Sequence, residues 1–296
     1  MQPSSVDTFL AELEHQRQAS PHTLKAYGRD LRHLLEFAAG TNTAPEQIAP
    51  PQLKRLLMKL HGAGLSPRAI ARMLSAWRTY YRWLAKRGGI ERNPCDGLHA
   101  PKQPKTLPKA ISTDQLTALL DAVPEDELER RDHAMAELFY SSGLRLSELA
   151  SLDLNFHLDL VENEVTVRGK RNKTRTVPVG DKAKQALHAW IEERAHIAKP
   201  DETALFVNRT GTRLSVSTIE RRIGRWAQKH GLGMHVHPHM LRHSFASHLL
   251  QSSGDLRAVQ ELLGHGNIGT TQIYTHLDFQ HLAKVYDQAH PRARKK

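Results

Sequence analysis

The sequence predicts a mainly α protein of two domains, the second of them mixed α/β through a small antiparallel sheet. Three observations predict it. Apolar residues recur at three- and four-residue intervals along most of the chain. A Pro/Lys-rich stretch at residues 100–109 interrupts that pattern. Only between Glu164 and Val179 does the period fall to two. With 296 residues, the chain is long enough for each domain to bury a core of its own. The boundaries expected are 1–100 for the first domain, 101–110 for an extended connector and 111–296 for the second domain.

Residues 6–18 read as a short first helix. Ser20-Pro21 and Ser66-Pro67 each set an N-cap serine before a proline at the first helical position, where the missing N–H costs nothing. Behind the first pair, Leu24, Tyr27, Leu31, Leu34 and Ala38 keep a helical period. Ile70, Leu74, Trp77, Tyr81 and Leu84 do so behind the second. Leu53, Leu56, Leu57 and Leu60 make a stripe between them. Four amphipathic helices on short loops imply a small bundle. Its polar faces are basic: Lys25, Arg29 and Arg32, then Lys54, Arg55 and Lys59, then Arg68, Arg72, Arg78 and Arg82. Trp77, Tyr80, Tyr81 and Trp83 are expected in the core rather than as base-stacking residues.

Beyond the connector, Ser112-Thr113-Asp114-Gln115 resembles a capping box opening a helix through Leu119. A second helix is expected from about Arg131 to Ser142, stopped by Gly143, and a third over 146–152. Residues 164–168 and 174–179 read as two strands joined by the basic turn Gly169-Lys170-Arg171-Asn172-Lys173. Helical periodicity then returns over 182–198, 217–230, 240–250 and 256–263.

The net charge of +11 and pI near 9.8 point to a polyanionic partner. The first hundred residues hold 14 Lys and Arg against 8 Asp and Glu, so the smaller domain is the more basic per residue. No apolar run approaches the ~20 residues that cross a bilayer, and the first residues lack the pattern of a signal peptide. A single cysteine, Cys95, excludes an internal disulfide, fits a reducing cytoplasm and argues against a cysteine-based zinc site.

His239 and Arg242 stand three apart on a helix starting after Pro238 and so share a face; Leu241, Phe245 and Leu249 share another and belong to the core. An arginine suits a phosphodiester because its planar fork donates two parallel hydrogen bonds and keeps its charge. Arg145, with Glu148 three residues on, reads either as an exposed ion pair worth roughly 0.5 kcal/mol or as a guanidinium held in place by a carboxylate. Lys170 at the strand turn, His265 in Gly264-His265-Gly266-Asn267, and Tyr274 each read, taken singly, as solvated or packed side chains. A metal is the competing use of His235, His237, His239, His243 and His248, two of which have the four-residue spacing of zinc ligands. Yet no glutamate completes an H-E-x-x-H pattern, and Arg242 would set a positive charge beside the cation. Neither a metal nor a cofactor is expected, and no nucleotide-binding G-x-x-x-x-G-K-[ST] sequence occurs.

Taken in order, Arg145, Lys170, His239-x-x-Arg242, His265 and Tyr274 resemble the active site of the tyrosine site-specific recombinases of the phage integrase family. The resemblance covers nearly the whole chain and is strongest from residue 237 to 294. Leu241-Arg242-His243-Ser244-Phe245 and Leu262-Leu263-Gly264-His265 look like the Xer subgroup, and residues 274–287 look like its XerC branch rather than XerD. Two loops depart from the usual pattern, at Arg171-Asn172 and at Gly266-Asn267-Ile268-Gly269; neither touches a catalytic position.

The resemblance implies a SAM-like, DNA-clamping N-terminal domain and a tyrosine-recombinase catalytic domain. It implies Tyr274 as nucleophile and His239 as base. It further implies Arg145, Arg242 and His265 on the phosphate oxygens, and Lys170 as acid. The implied partners are double-stranded DNA, a XerD-type recombinase in a two-plus-two tetramer and the septal DNA translocase FtsK, with chromosome dimers resolved at a dif-type site. By the same analogy, residues 278–286, carrying Phe279, Leu282, Val285 and Tyr286, are expected to pack on a neighbouring subunit. Competing readings are a phage or integron integrase, a type IB topoisomerase-like enzyme, and a non-catalytic basic DNA-binding protein.

Overall fold

The computed structural model describes residues 4–15, 21–102, 111–169, 174–264 and 276–293, the side chains of 21–22 and 276–281 excepted. The chain divides into two compact units, Met1–Thr106 and Leu107–Lys296. Among the described residues it is mostly helical, with one small antiparallel sheet.

The first unit holds α1 (Ser5–His15), α2 (Pro21–Gly40), α3 (Pro50–Gly62) and α4 (Pro67–Lys86), with a 3-10 turn at Pro45–Gln47 that no periodicity announces. Ser66 caps α4 by accepting from the Ala69 N–H at 3.2 Å. Ser20 lies outside the described residues. The apolar face of α4, including Ile70, Leu74, Trp77, Tyr80 and Tyr81, is fully buried against α1, α2 and α3. Three of its aromatic rings are core residues whose polar tips are satisfied. Trp77 Nε1 donates to the Asp30 carbonyl at 2.9 Å, Tyr81 Oη donates to the Pro45 carbonyl at 2.9 Å, and Tyr80 Oη lies 2.7 Å from Ser5 Oγ. Trp83 is also buried. Lys25, Arg29, Arg32, Lys54, Arg55, Lys59, Arg68, Arg72 and Arg82 are exposed, as the polar stripes predict. Arg78 corrects that reading: it is half-buried, and its guanidinium donates to the carbonyl of Leu98.

The second unit is built on α6 (Glu127–Ser142), which packs against α9 (Asp181–Ile197), α10 (Val216–Lys229) and α11 (Pro238–Ser253). α6 starts earlier than its apolar pattern suggests, because the Asp126 carboxylate caps it. Ser112 caps α5 (Thr113–Leu120) in the expected box. After α7 (Leu146–Ala150), the one-turn α8 (Leu154–His157) and strand β1 (Leu158–Asp159) are additions to the expected order; both are too short for a period to register. β2 (Glu164–Arg168) and β3 (Thr174–Pro178) pair antiparallel, with Val165 opposite Val177 and Val167 opposite Arg175. β1 adds to the other edge of β2. α12 (Leu256–Leu263) and α13 (His276–Ala289) complete the unit.

In the single chain the described part of α13 is seated on its own domain. Leu282 and Tyr286 are buried in the same core as α6 and α11. Tyr286 Oη sits 2.8 Å from Ser141 Oγ, and its ring stacks on His290. Just beyond, Arg292 Nε donates to Glu137 at 3.1 Å and Nη1 to Asp121 at 2.9 Å. An apolar stripe with a phenol at its end is satisfied as well by this buried seat as by another subunit. The position of Phe279 lies outside the described side chains.

Gly143 ends α6 in the left-handed region, at φ 58°. A Cβ there would meet the Phe245 ring, with Cε1 at 2.7 Å. Gly143→Ala therefore combines backbone strain with overpacking and should cost about 2–4 kcal/mol. Urea unfolding that shows no loss would contradict this account of the α6 terminus.

Candidate active site

The start of α7, strand β3 and helix α11 each send an arginine to the carboxylate of Glu148. The left-handed turn at Gly143 redirects the chain so that Arg145 becomes the N-cap of α7. One turn of helix then brings Glu148 back to Arg145. The Arg145 N–H donates to Glu148 Oε2 at 2.7 Å, and its Nη1 donates to Oε1 at 2.7 Å. From β3, Arg175 forks onto the same carboxylate, Nη1 to Oε1 at 2.7 Å and Nη2 to Oε2 at 2.9 Å. From the second turn of α11, Arg242 Nη1 approaches Oε2 at 3.9 Å and donates to the Gly143 carbonyl.

The C-terminus of α12 closes the cluster. The last carbonyls of a helix have no intrahelical N–H partner and carry the negative end of its dipole. Here three successive ones accept from three different arginines. Leu262 O accepts Arg175 Nε at 3.0 Å, Leu263 O accepts Arg242 Nη2 at 2.7 Å, and Gly264 O accepts Arg145 Nη2 at 3.1 Å. The left-handed Gly264 (φ 64°) packs directly against the Arg175 guanidinium.

Burial by itself would raise the Glu148 carboxyl. The hydrogen bonds and charge of Arg175, with those of Arg145, outweigh it and hold the group at about 2. Burial, together with the neighbouring Arg145 charge, lowers Arg242 to about 10, so it stays cationic at neutral pH. The Arg145 side chain is about a third exposed, whereas those of Arg175 and Arg242 are nearly covered. Among the described residues the cluster therefore has three guanidiniums for one carboxylate, and its accessible edge is Arg145. A guanidinium offers five N–H donors, so those not spent on Glu148 and the carbonyls suit an anion with several oxygens.

Of the residues singled out by sequence, the structure brings Arg145 and Arg242 together around Glu148. His239 lies in the first turn of α11, exposed, with its ring 6.4 Å from that of His237. Lys170, His265 and Tyr274 lie outside the described residues. Glu148 is buried, which decides between the two readings of Arg145–Glu148 in favour of a guanidinium held in place. Arg175 was missed, although strand parity carries the signal. It shares the inward face of β3 with Val177, and an arginine on the buried face of a strand needs a partner. The crowded histidines do not converge. His243 is exposed, while His248 is buried with Nδ1 3.0 Å from Tyr140 Oη. Among the described residues no group of three or more His, Cys, Asp or Glu side chains is placed to hold a metal.

Comparison with known proteins decides the family. The phage integrase family model matches residues 109–281, and the model of the phage integrase N-terminal SAM-like domain matches residues 6–88. The chain belongs to the phage integrase family. Tyrosine recombinase XerC 1 of Ralstonia nicotianae is 52% identical over 98% of this chain and 94% of its own length. Tyrosine recombinase XerC of Pseudomonas aeruginosa is 53% identical over 99% and 96%. The integrase-family chain is thus a XerC-type tyrosine recombinase, an enzyme that cleaves and rejoins DNA. Its fold matches XerH site-specific recombinase, solved bound to a palindromic difH substrate as a post-cleavage complex. The TM-score is 0.70 at 23% identity, covering 96% of this chain and 84% of that one. Among the described residues no helix is long and apolar enough to cross a membrane.

Removing the charge of Glu148 leaves buried guanidiniums uncompensated. Glu148→Gln should cost roughly 3–5 kcal/mol at neutral pH. Because the folded carboxyl lies at about 2 against its ordinary 4.5, its stabilising contribution is fully present above about pH 4.5 and is lost as pH falls toward 2. Unfolding measured from pH 7 downward should show wild type and variant converging over that window; a difference independent of pH would contradict the pairing.

Proposed function

We propose that this recombinase breaks and reseals double-stranded DNA through a 3′-phosphotyrosyl intermediate at Tyr274. The observation that carries the reading is the convergence of Arg145 and Arg242, from elements almost a hundred residues apart, on one buried carboxylate and on the end of α12, the residue before His265. A site with more positive charge than its own acid needs is suited to a phosphodiester and to the charge that builds on it during displacement.

In this reading Tyr274 Oη attacks the scissile phosphorus, the Oη–P bond forms and the P–O5′ bond breaks. A phenol ordinarily titrates near 10, and His239 accepts its proton. Lys170 gives a proton to the departing 5′ oxygen. Arg145, Arg242 and His265 bind the non-bridging oxygens. Rejoining runs the same steps backwards with a 5′-hydroxyl from another duplex, so neither ATP nor a metal is required. The likeness to XerC proteins, and to XerH bound to difH, supports a dif-type chromosomal site as substrate and chromosome-dimer resolution in the cytoplasm as the role. A XerD-type partner would contribute two of four subunits, with FtsK controlling the exchange. The basic faces of α2, α3 and α4 would supply sequence-independent phosphate contacts.

The test is a dif-type duplex nicked near the crossover point. Wild type should form a protein–DNA adduct that survives denaturation, undiminished in excess EDTA, while Tyr274→Phe should form none. An adduct retained by Tyr274→Phe, or a strict need for a divalent ion, would overturn the mechanism.

A further inference from the structure

The structure assigns Arg175 as a positioning residue for DNA cleavage: its two-pronged hold on Glu148 fixes the carboxylate that aims Arg145 and Arg242 at the scissile phosphate. The inference rests on the proposed phosphate-binding role of those two arginines and adds a residue to it.

Four features of the site lead to this assignment. Arg175 is the only residue that bonds both oxygens of Glu148 through side-chain nitrogens among the described residues, at 2.7 and 2.9 Å. Its Nε is spent on the Leu262 carbonyl, and its side chain is 8% exposed, so its contacts are internal and not with a ligand. Glu148 then passes the constraint on: Oε1 accepts Arg145 Nη1, and Oε2 faces Arg242 Nη1. Finally, Arg175 stands opposite Val167 in a fixed register, just after residues 170–173. The strand that anchors Glu148 is therefore the one entered directly from the Lys170 segment.

A lysine cannot reproduce this hold. One ammonium does not supply a planar fork for both oxygens together with a third donor for Leu262. Among the described residues the charged groups facing Glu148 are Arg145 at the start of α7, Arg175 from β3 and Arg242 from α11, and the carbonyls that end α12 accept from those arginines. Without Arg175 the carboxylate keeps its burial and loses its principal counter-charge, so it begins to take up protons at a higher pH. The protonated acid no longer accepts from both arginines. Cleavage should then acquire an acid limb beyond the one that protonation of the His239 base gives wild type.

The experiment uses the full chain as wild type, Arg175→Lys, Arg175→Met and Arg175→Met combined with Glu148→Gln. One readout is the Glu148 carboxyl ¹³C titration of the free protein; the other is single-turnover adduct formation on the nicked dif-type duplex across pH. DNA binding is followed by mobility shift. Arg175→Met should raise the Glu148 titration and slow adduct formation roughly 100-fold, the scale on which small misplacement of positioning groups acts. Binding should stay near wild type. Its rate should fall more steeply than wild type's as pH drops, and the added Glu148→Gln should return the pH profile to the wild-type shape. Arg175→Lys, the variant that best preserves the fold, should cleave slowly with a weaker acid limb.

An unmoved Glu148 titration overturns the assignment. So does wild-type cleavage by Arg175→Lys, or a rate loss with no change in pH profile. If wild type itself forms no adduct, the functional reading fails instead, and the carboxyl titration still decides whether Arg175 governs Glu148.

Discussion

A carboxylate buried among three guanidiniums organises the catalytic unit. Glu148 is almost without solvent, and an uncompensated charge there would be untenable. It is compensated twice over, by a bidentate fork from β3 and by both the backbone and the side chain of Arg145. The surplus of positive charge is met on the other side by the carbonyls that end α12, which carry partial negative charge of about half a unit in total. The arrangement is self-consistent without a ligand, yet it still has more cationic donors than internal acceptors.

That one cluster fixes where several distant parts of the chain must lie. The end of α6, the start of α7, the middle of β3, the second turn of α11 and the last turn of α12 all terminate on it. The scaffold behind it is the buried α6, whose left-handed C-cap both turns the chain toward Arg145 and supplies a carbonyl to Arg242. The arginine cluster and the fold therefore share the same hydrogen bonds. The N-terminal bundle is different in kind: its core is closed by Trp77, Tyr80 and Tyr81, and its charge is displayed outward on helix faces. One unit is organised around a buried charge cluster, the other displays its charge on the helix faces.

Much of this was legible in the sequence because it follows from local physics. The stripe along α4, the serine cap at Ser66, the glycine stop at Gly143 and the pairing of β2 with β3 each depend on neighbours within a few residues. Arg145 and Arg242 were legible as guanidiniums suited to phosphate. Glu148 was legible as one possible partner of Arg145, but its burial and its sharing with Arg242 were not, since they depend on β3 and α12 closing over it. Arg175 shows the same limit. Its inward parity is written in the strand, but what it meets there is set by Glu148, 27 positions earlier, and Leu262, 87 positions later. The seat of α13 within the chain was not legible for a related reason, because an apolar stripe shows that a face is covered and not which surface covers it. β1 and α8 are set by pairing and chain reversal rather than by a period of their own.

The central claim is that Glu148 acts through the guanidiniums it holds. A double-mutant cycle between Glu148→Gln and Arg145→Ala, read as the rate of covalent adduct formation, tests it most directly. If the carboxylate works by aiming Arg145, the pair should lose little more than the worse single variant, giving a coupling of about 2 kcal/mol. Losses that simply add would show the two residues working independently and would contradict the account.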